Sequence, residues 1–587
     1  MIVPMTRYTV VLHHSDLAGF ISDIRKIGVV HIVENDAALS EMAMGHLQFI
    51  RDIDNNIRFL KRRQKEQKET RTDPAAGIGI FNDINLKRNE LENLLLRQTI
   101  LRKEVRLLEP WGAFNTHTIK KLHENGVKTR FYICGEKKFD QTWRDQFDLS
   151  VINQVGSTIY FVVFEKGIEV EGITADEWKM PERSVSEAVQ ELTEIEIRIT
   201  EINQALDRHA ETGIPALEAV KMQYTSLFDH DRALNNAISD PSEKIRIIEG
   251  WVPRTKAGEL ENYLSGGDYY YFTTGPKPDD KVPILLANNK FTKLFEPIAK
   301  LYSLPSYTEL DLTPYFAPFF MMFFGFCLGD MGYGLVILIA ASLAKLKIKG
   351  ELRSVLTLGQ FLGLGTIIMG FVSGTLFGVG LLDQDWVGSL KNYMLNSDNL
   401  FNLALILGVV QILFGLIIQA VNKTIQFGFK YALSPIGWFL MITTLVMKFV
   451  LGFENVIISG ILYTGIGLIV LFNDPDAKIF ARIGKGVYDL YNITGFFGDV
   501  LSYIRLFALG VSSGILGLVI NQVALQIKEV SVIGPVLFVL FLLIGHTANM
   551  LISSLGSFVH PMRLTFVEFY KNSGFSGGGK EYKPFKQ

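Results

Sequence analysis

Cysteine is almost missing: Cys134 and Cys327 are the only two in 587 residues, and they fall in different halves of the chain. A disulfide framework and a thiolate metal site are therefore excluded. No GxxxxGKS or GxxxxGKT phosphate loop, no HExxH and no CxxC pair occurs. Local machinery for nucleotide hydrolysis or metal catalysis is thus lacking, so no cofactor and no covalent chemistry by this chain alone are expected. A basic excess is lacking too, with 58 Lys and Arg against 60 Asp and Glu, which gives no support to a nucleic-acid partner. The opening residues, MIVPMTRYTVVLHHSDLAGF, have no long apolar stretch behind a basic one and no small-residue cleavage site. The first half is accordingly expected to stay in the compartment where it is made.

What is present is uneven hydrophobicity. The chain is 48% apolar and 20% charged with a mean hydropathy of +0.23, but charged residues become sparse from about residue 315 to 571. Its length corresponds to about three or four domain-sized units. The expected fold is mainly α: an N-terminal cytoplasmic dumbbell of two α/β lobes joined by a coiled-coil-like helical stalk, then a polytopic membrane domain of about eight helices, the last two long. The cytoplasmic domain spans 1–310 and the membrane domain 311–587, with a short cytoplasmic tail.

Residues 6–33 read as a strand, an amphipathic helix opening at Ser15 or Asp16, and a second strand after Gly28. Apolar residues then recur at helical spacing among many charges: Ile50, Ile53, Ile57 and Leu60, then Leu91, Leu94, Leu101, Val105 and Leu108. Heptads resume at Val185, Ala188, Leu192, Ile195, Ile199, Ile202 and Leu206, and again at Leu217, Val220, Tyr224 and Leu227 after a break at Gly213 to Pro215. The proximal lobe is placed at 1–40 and 243–290, the stalk at 41–109 and 182–240, and the distal lobe, with its short β-type runs, at 110–181. A single globular helical bundle is the competing arrangement for these helices.

Membrane spans are expected at about 315–329, 331–345, 354–381, 400–421, 431–452, 455–472, 496–526 and 532–562. The connectors alternate in charge. Positive ones carry Lys345, Lys347, Lys349 and Arg353, then Lys423 and Lys430, then Lys478, Arg482 and Lys485, then the tail with Lys571, Lys580, Lys583 and Lys586. Non-positive ones carry Asp383, Asp385 and Asp398 against Lys391, then Glu454, then Lys528 offset by Glu529. With a cytoplasmic N-terminal half, this alternation requires 315–344 to cross twice, turning near Gly329 to Gly334. One long helix is the alternative.

An ionisable side chain within a span costs several kcal/mol, about 2.5 at the least, so each one needs a reason. Arg505 stands roughly ten residues into the seventh crossing, about 15 Å from its start, with no acidic residue one turn away. Its guanidinium keeps its charge, so a partner carboxylate must come from elsewhere in the fold or from another subunit. Arg563 lies near the end of the last crossing, with His560 one turn before it and Glu568 five residues after. It either faces a partner or snorkels to the interface. Polar residues accompany these helices: Asp499, Ser502, Tyr503, Asn521 and Gln522 on one, His546, Asn549 and Ser553 on the other. Such a set either lines a water path or joins helices. Asp330, in the hairpin turn, is placed at an external surface as a turn-former or an ion ligand.

Four blocks, EGWVPRTKAGELENYL (249–264), FEPIAKLYSLPSYTELDLTPYFAPFFMMFFGFCLGDMGYG (295–334), FFGDVLSYIRLFALGVSSGIL (496–516) and HPMRLTFVEFYKNSGFSGGGKEYKPF (560–585), carry a family likeness across essentially the whole chain. On these blocks the sequence resembles the membrane subunit called a or I of rotary V-type and A-type ATPases, in its bacterial or archaeal form. The resemblance implies a non-catalytic stator that offers two offset half-channels to a proteolipid c/K ring. Arg505 matches the family's essential arginine and Arg563 its second ring-facing arginine. Asp499, Ser502, Tyr503, Asn521, Gln522, His546, Asn549, Ser553, His560, Glu568 and Asp330 are the half-channel candidates. Implied partners are peripheral-stalk subunits E and G at both lobes, a central-stalk cap subunit d/C, membrane lipid and a transported H+ or Na+. The implied location is the plasma membrane, with the N-terminal domain and C-terminus cytoplasmic. Where eukaryotic members carry an acidic residue before the second arginine, this chain has His546, Asn549 and Ser553. A self-sufficient secondary transporter is the competing function, but the spans show no convincing internal repeat. A membrane-anchored coiled-coil scaffold would leave Arg505 unexplained.

Overall fold

The computed structural model describes residues 1–33, 39–64, 73–167, 172–179, 183–239, 244–267, 269–277, 280–350, 352–382, 384–453, 455–529 and 533–586. Asp383 and Glu454, two of the acidic connector residues, lie outside these. The chain is mainly helical and divides into two compact units, one of residues 34–238 and one of residues 1–33 with 239–586.

The unit of residues 34–238 is built on four helices, Glu41–Lys61, Pro74–Leu108, Val185–Thr212 and Ile214–Asn235. Local chemistry sets their starts. Asp73 caps the second with Pro74 in its first turn, and Ser184 and Glu187 form a reciprocal capping box at the third. Their apolar faces meet in a core of Ile53, Ile57, Leu60, Ile84, Ile202, Leu206, Leu217 and Val220. Burying each such side chain contributes about 1.5–3 kcal/mol. At the other end of this unit, Arg183 bridges Glu104 and Glu191 of two different helices. The Arg183 hydrogen bonds hold the Glu104 carboxyl below the ordinary range against a smaller opposing effect of burial.

A four-stranded antiparallel sheet completes this unit, in the order Leu149–Val155, Thr158–Glu165, Lys128–Gly135, Asp176–Trp178. Phe161 is fully buried on one face, and Trp111 stacks on Trp178 on the other, ring centroids 5.0 Å apart. Cys134 is buried here, which raises its thiol pKa and leaves it an inert packing residue.

The second unit opens with an antiparallel sheet in the order His31–Ile32, Ile245–Pro253, Met5–His13, Tyr270–Thr274. Helices Leu17–Ile27 and Ala257–Ser265 contribute the buried Ile21, Ile24, Leu260 and Leu264. The C-terminal residues tie this lobe to the helices that follow. Tyr582 Oη donates to the Val29 carbonyl at 2.5 Å, Phe585 N donates to the Val30 carbonyl at 2.8 Å, and Pro283–Ile284 pairs with Lys580–Glu581. Glu309, almost fully buried, accepts from the amides of Ser306, Ser576 and Gly577.

Helices Thr313–Leu328 and Met331–Lys347 form a hairpin. Gly329 between them takes φ 60°, the left-handed conformation that favours glycine at a helix C-terminus. Gly325 lies so close to the next helix, Leu352–Ser373, that a Cβ there would sit 2.3 Å from the Gly365 carbonyl oxygen. Among the described residues, five helical segments are long and apolar enough to cross a membrane: Leu352–Ser373, Ser397–Phe427, Phe429–Phe449, Ile479–Lys528 and Gly534–Asn572. The expected set of about eight crossings also includes three shorter helices, the two hairpin arms and Val456–Phe472.

Three expectations need correction. The connector at 473–495 is largely helical, as Ile479–Leu490, because its apolar and charged residues alternate at helical spacing. The expected span 496–526 is two helices, Ile493–Ser502 and Ile504–Lys528, broken at Tyr503. The last crossing runs beyond 562, from Gly534–Arg563 through a π-helical turn, Leu564–Phe569, to Tyr570–Asn572.

Candidate functional site

Arg505 is the second residue of Ile504–Lys528, just after the break. The break is held by Tyr503, whose side chain is fully buried, donates from Oη to Gln411 Oε1 at 2.6 Å and meets the Phe323 ring edge-on. Arg505 itself is half-buried. Its Nη1 is buried without a hydrogen-bond partner, and no ion pair reaches it among the described residues. Glu568 acts on it through space. That carboxylate is 2% exposed, sits in the π-helical turn, and has its Oε2 buried and unpartnered. A π-turn within a helix commonly marks a functional position.

The other candidates at this end divide. Asp499 accepts from Lys571 Nζ at 3.2 Å and from Asn572 Nδ2 at 3.0 Å. Ser502 Oγ donates to its own helix, at the Gly498 carbonyl. His560 is half-buried and feels the charges of both Arg505 and Arg563. Arg563 is exposed, with no ion pair among the described residues.

A second polar group lies further along Ile504–Lys528. Asn521 is 16 residues past Arg505, about 24 Å at helical rise. Tyr333 is its hub, buried to 1% exposure. His546 Nδ1 lies 2.8 Å from Tyr333 Oη, and His546 Nε2 lies 3.0 Å from Asn521 Oδ1. Asn549 Nδ2 donates to Tyr333 Oη at 2.8 Å and to the Ser513 carbonyl, and Ser553 Oγ donates to Asn549 Oδ1 at 3.0 Å. Asn521 Nδ2 donates to the Phe377 carbonyl at 2.7 Å.

This pattern assigns the protons. Tyr333 donates to Nδ1, so His546 carries its proton on Nε2 and donates a hydrogen bond to Asn521 Oδ1. A neutral imidazole satisfies every contact of the chain. A charged one would put two donors at the Tyr333 oxygen and leave the phenol proton with no acceptor in this group.

Asp330 is fully buried rather than at an external surface. Its Oδ1 accepts from the amides of Gly332, Tyr333 and Phe377, and its Oδ2 accepts from Gly378 N at 2.7 Å. Four backbone donors hold the carboxylate in place, three on Oδ1 and one on Oδ2. Its contacts with Gly332 N and Tyr333 N cap the helix that follows the turn. Gln522 is exposed and joins neither group. Sequence reasoning missed Tyr333 and Gln411. A lone glutamine in the apolar run LALILGVVQILFG was a signal for the second. Among the described residues, no cluster of His, Cys, Asp or Glu is able to hold a metal.

Comparison with known proteins frames this geometry. The family model described as the V-type ATPase 116kDa subunit family matches residues 158–356. "A-type ATP synthase subunit I" of Methanocaldococcus jannaschii is 29% identical over 69% of this chain and 64% of its own length. "V-type ATP synthase subunit I" of Borreliella burgdorferi is 25% identical over 85% of each chain. "V-type ATP synthase subunit I 1" of Treponema pallidum is 24% identical over 100% of each. The chain is thus similar, along most of its length, to proteins named subunit I of V-type or A-type ATP synthases. The residues matched by the family model include Asp330 and Tyr333. Arg505, His546 and Arg563 lie outside that stretch but inside the full-length match to the Treponema relative. The long apolar helices and the likeness to subunit I proteins together point to a membrane protein.

Proposed function

We propose that this chain is the non-catalytic stator of a rotary V/A-type ATPase, presenting two offset ion half-channels to a proteolipid ring. The observation that carries this reading is Arg505: a cation in a membrane helix whose Nη1 is buried and without a hydrogen-bond partner among the described residues. Leaving a charge so placed is costly unless a counter-charge arrives. On the same two helices, Ile515, Leu516 and Val519, with Leu543, Leu551 and Leu555, are exposed apolar residues. They suit an apolar partner carrying carboxylates.

The mechanism follows from charge. A ring carboxylate brought near Arg505 is favoured in its ionised form, so a loaded site must release its ion before passing. The same fixed cation opposes direct cation leak. The group around Glu568 lies near Arg505, and the group around His546 meets the same helix at Ser513 and Asn521, further along Ile504–Lys528. Each supplies polar side chains toward one membrane face. Every ion moved across 100 mV delivers about 2.3 kcal/mol, which a ring gathers over several steps for ATP synthesis or receives from hydrolysis. The transported ion is H+ or Na+, whose ligands would sit on the ring.

The lobes and four-helix stalk would hold peripheral-stalk subunits E and G, with subunit d/C capping the ring. Lys345, Lys347, Lys349, Lys423, Lys430, Lys478 and Lys485 support a plasma-membrane orientation with the N-terminal domain and C-terminus cytoplasmic. The test is to purify the tagged chain from its native membranes, identify co-purifying subunits, and measure ATP-driven ion uptake in vesicles with Arg505→Gln beside the wild type. Assembly with lost uptake is the expected result. A variant that transports normally overturns the reading.

A further inference from the structure

A cavity of about 240 Å³ opens where Ser397–Phe427, Phe429–Phe449 and Ile493–Ser502 meet the C-terminal residues Lys571 and Asn572. This is the end of the bundle that carries the lobe sheet. Leu310 N donates to Asn422 Oδ1 at 3.2 Å, and Gly574 sits against Gln419.

Lys423 lines the cavity, and it alone of the charged groups there is uncommitted. It is half-buried, and no hydrogen bond or ion pair reaches it among the described residues. Asp489 acts on it only through space, because its two oxygens accept from Trp438 Nε1 at 3.0 Å and from Asn492 Nδ2 at 2.6 Å. Lys571 is paired with Asp499. The Gln419 amide also lines the cavity without a hydrogen bond among the described residues. An ammonium and an amide, both without partners and partly desolvated in a polar hollow, call for an anion with several acceptor oxygens.

The neighbouring helix Ile479–Leu490 indicates where that anion comes from. Ile479, Phe480, Val487 and Tyr488 are bare, Phe480 to 92%. Its cations are turned to the protein instead: Lys485 pairs with Asp474 at 2.6 Å, and Arg482 donates to the carbonyls of Pro475 and Ala477. Gly486 packs on Val470 at the end of Val456–Phe472, where a Cβ would meet the Val470 carbonyl oxygen at 2.4 Å. A short helix with a bare apolar and aromatic face, folded over the end of a membrane helix, fits the membrane–water boundary. The cavity is smaller than pockets that enclose whole drug-sized ligands. It suits a glycerophosphate whose acyl chains remain outside.

We infer that this cavity binds the phosphodiester headgroup of an anionic glycerophospholipid, with Lys423 as counter-ion and Gln419 as donor, while Ile479–Leu490 lies in the same leaflet. This goes beyond the stator reading.

The test places the purified full chain in nanodiscs of phosphatidylcholine with or without phosphatidylglycerol, reading retained lipid by mass spectrometry and stability by thermal unfolding. Lys423→Gln should retain roughly five-fold less phosphatidylglycerol, the size expected for one basic residue at an anionic surface. Lys423→Arg should retain the wild-type amount. Both should unfold like the wild type in pure phosphatidylcholine. If Lys423→Gln does not fold, Gln419→Leu read the same way takes its place. Equal retention by wild type and Lys423→Gln overturns the inference. So does equal stabilisation by soluble glycerol 1-phosphate, which would mean a free-anion site. No readout needs ATP or a ring, so failure of the stator reading leaves the result intact.

Discussion

Two polar groups on one helix behave in opposite ways. Around His546, the hydroxyl of Tyr333 and the amides of Asn521 and Asn549 find one another, and the chain of donors and acceptors closes within the protein. Around Arg505 the account stays open: Arg505 Nη1, Glu568 Oε2 and Gln411 Nε2 are all buried without partners. Buried polar groups are nearly always hydrogen-bonded, so these three atoms near one helix break mark a place where the described residues do not satisfy one another. The lesson is that the two groups have different completeness. One is joined by hydrogen bonds from residue to residue, and the other leaves three buried atoms without partners among the described residues.

The largest effect that would break this contrast is at Arg505. Arg505→Gln should lower ATP-driven ion uptake by at least about 100-fold while the complex still assembles, since an uncompensated buried charge is worth about 3–5 kcal/mol. Uptake near the wild-type rate would make Arg505 an ordinary buried arginine. Next comes Asp330→Ala, which strips the acceptor from four backbone amides. A loss of about 3 kcal/mol or more in thermal unfolding is expected, and a silent substitution would show that these donors find water instead. Tyr333→Phe sharpens the closed side of the comparison. It leaves His546 Nδ1 and Asn549 Nδ2 without their shared partner, at about 1–3 kcal/mol, whereas the same change at Tyr503 releases a Gln411 already half-satisfied and should cost less. Equal losses at the two tyrosines would erase the distinction.

The smallest effect is in the unit of residues 34–238. Glu104 has its pKa lowered by the Arg183 hydrogen bonds, so the stability it contributes is fully present above its unfolded value of 4.5 and is lost as pH falls through the lower folded value. Arg183→Gln should therefore speed hydrogen exchange in Val185–Thr212 at neutral pH by an amount equivalent to about 0.5–1 kcal/mol, and the difference from the wild type should shrink below pH 4.5. A difference that persists in acid would assign the effect to packing.

Much of the fold was legible because its causes are local. Pro74, Ser184 with Glu187, and Gly329 mark helix ends through their own backbone chemistry. Arg505 stood out because a guanidinium among apolar residues is expensive wherever it lands. The break at Tyr503 was not legible, since LSYIRLFAL reads as one continuous helix until the buried Tyr503–Gln411 hydrogen bond is known. Asp330 was read as a surface residue because its turn lies between apolar runs, yet the Thr375–Gly380 segment folds over it and supplies two of its donors.

By itself, then, the sequence determined where charge thins out, which segments are helical, and that Arg505 requires a counter-charge. These follow from residue-by-residue transfer cost and from periodicities of a few residues. Only the tertiary structure decided which polar groups meet. Tyr333 and His546 are 213 residues apart, and Tyr503 and Gln411 are 92 apart. A hydrogen bond between helices depends on the depth and rotation at which they pack, and no local pattern encodes either. The same packing left Arg505 without a partner, which turned an expensive residue into a candidate contact with another subunit.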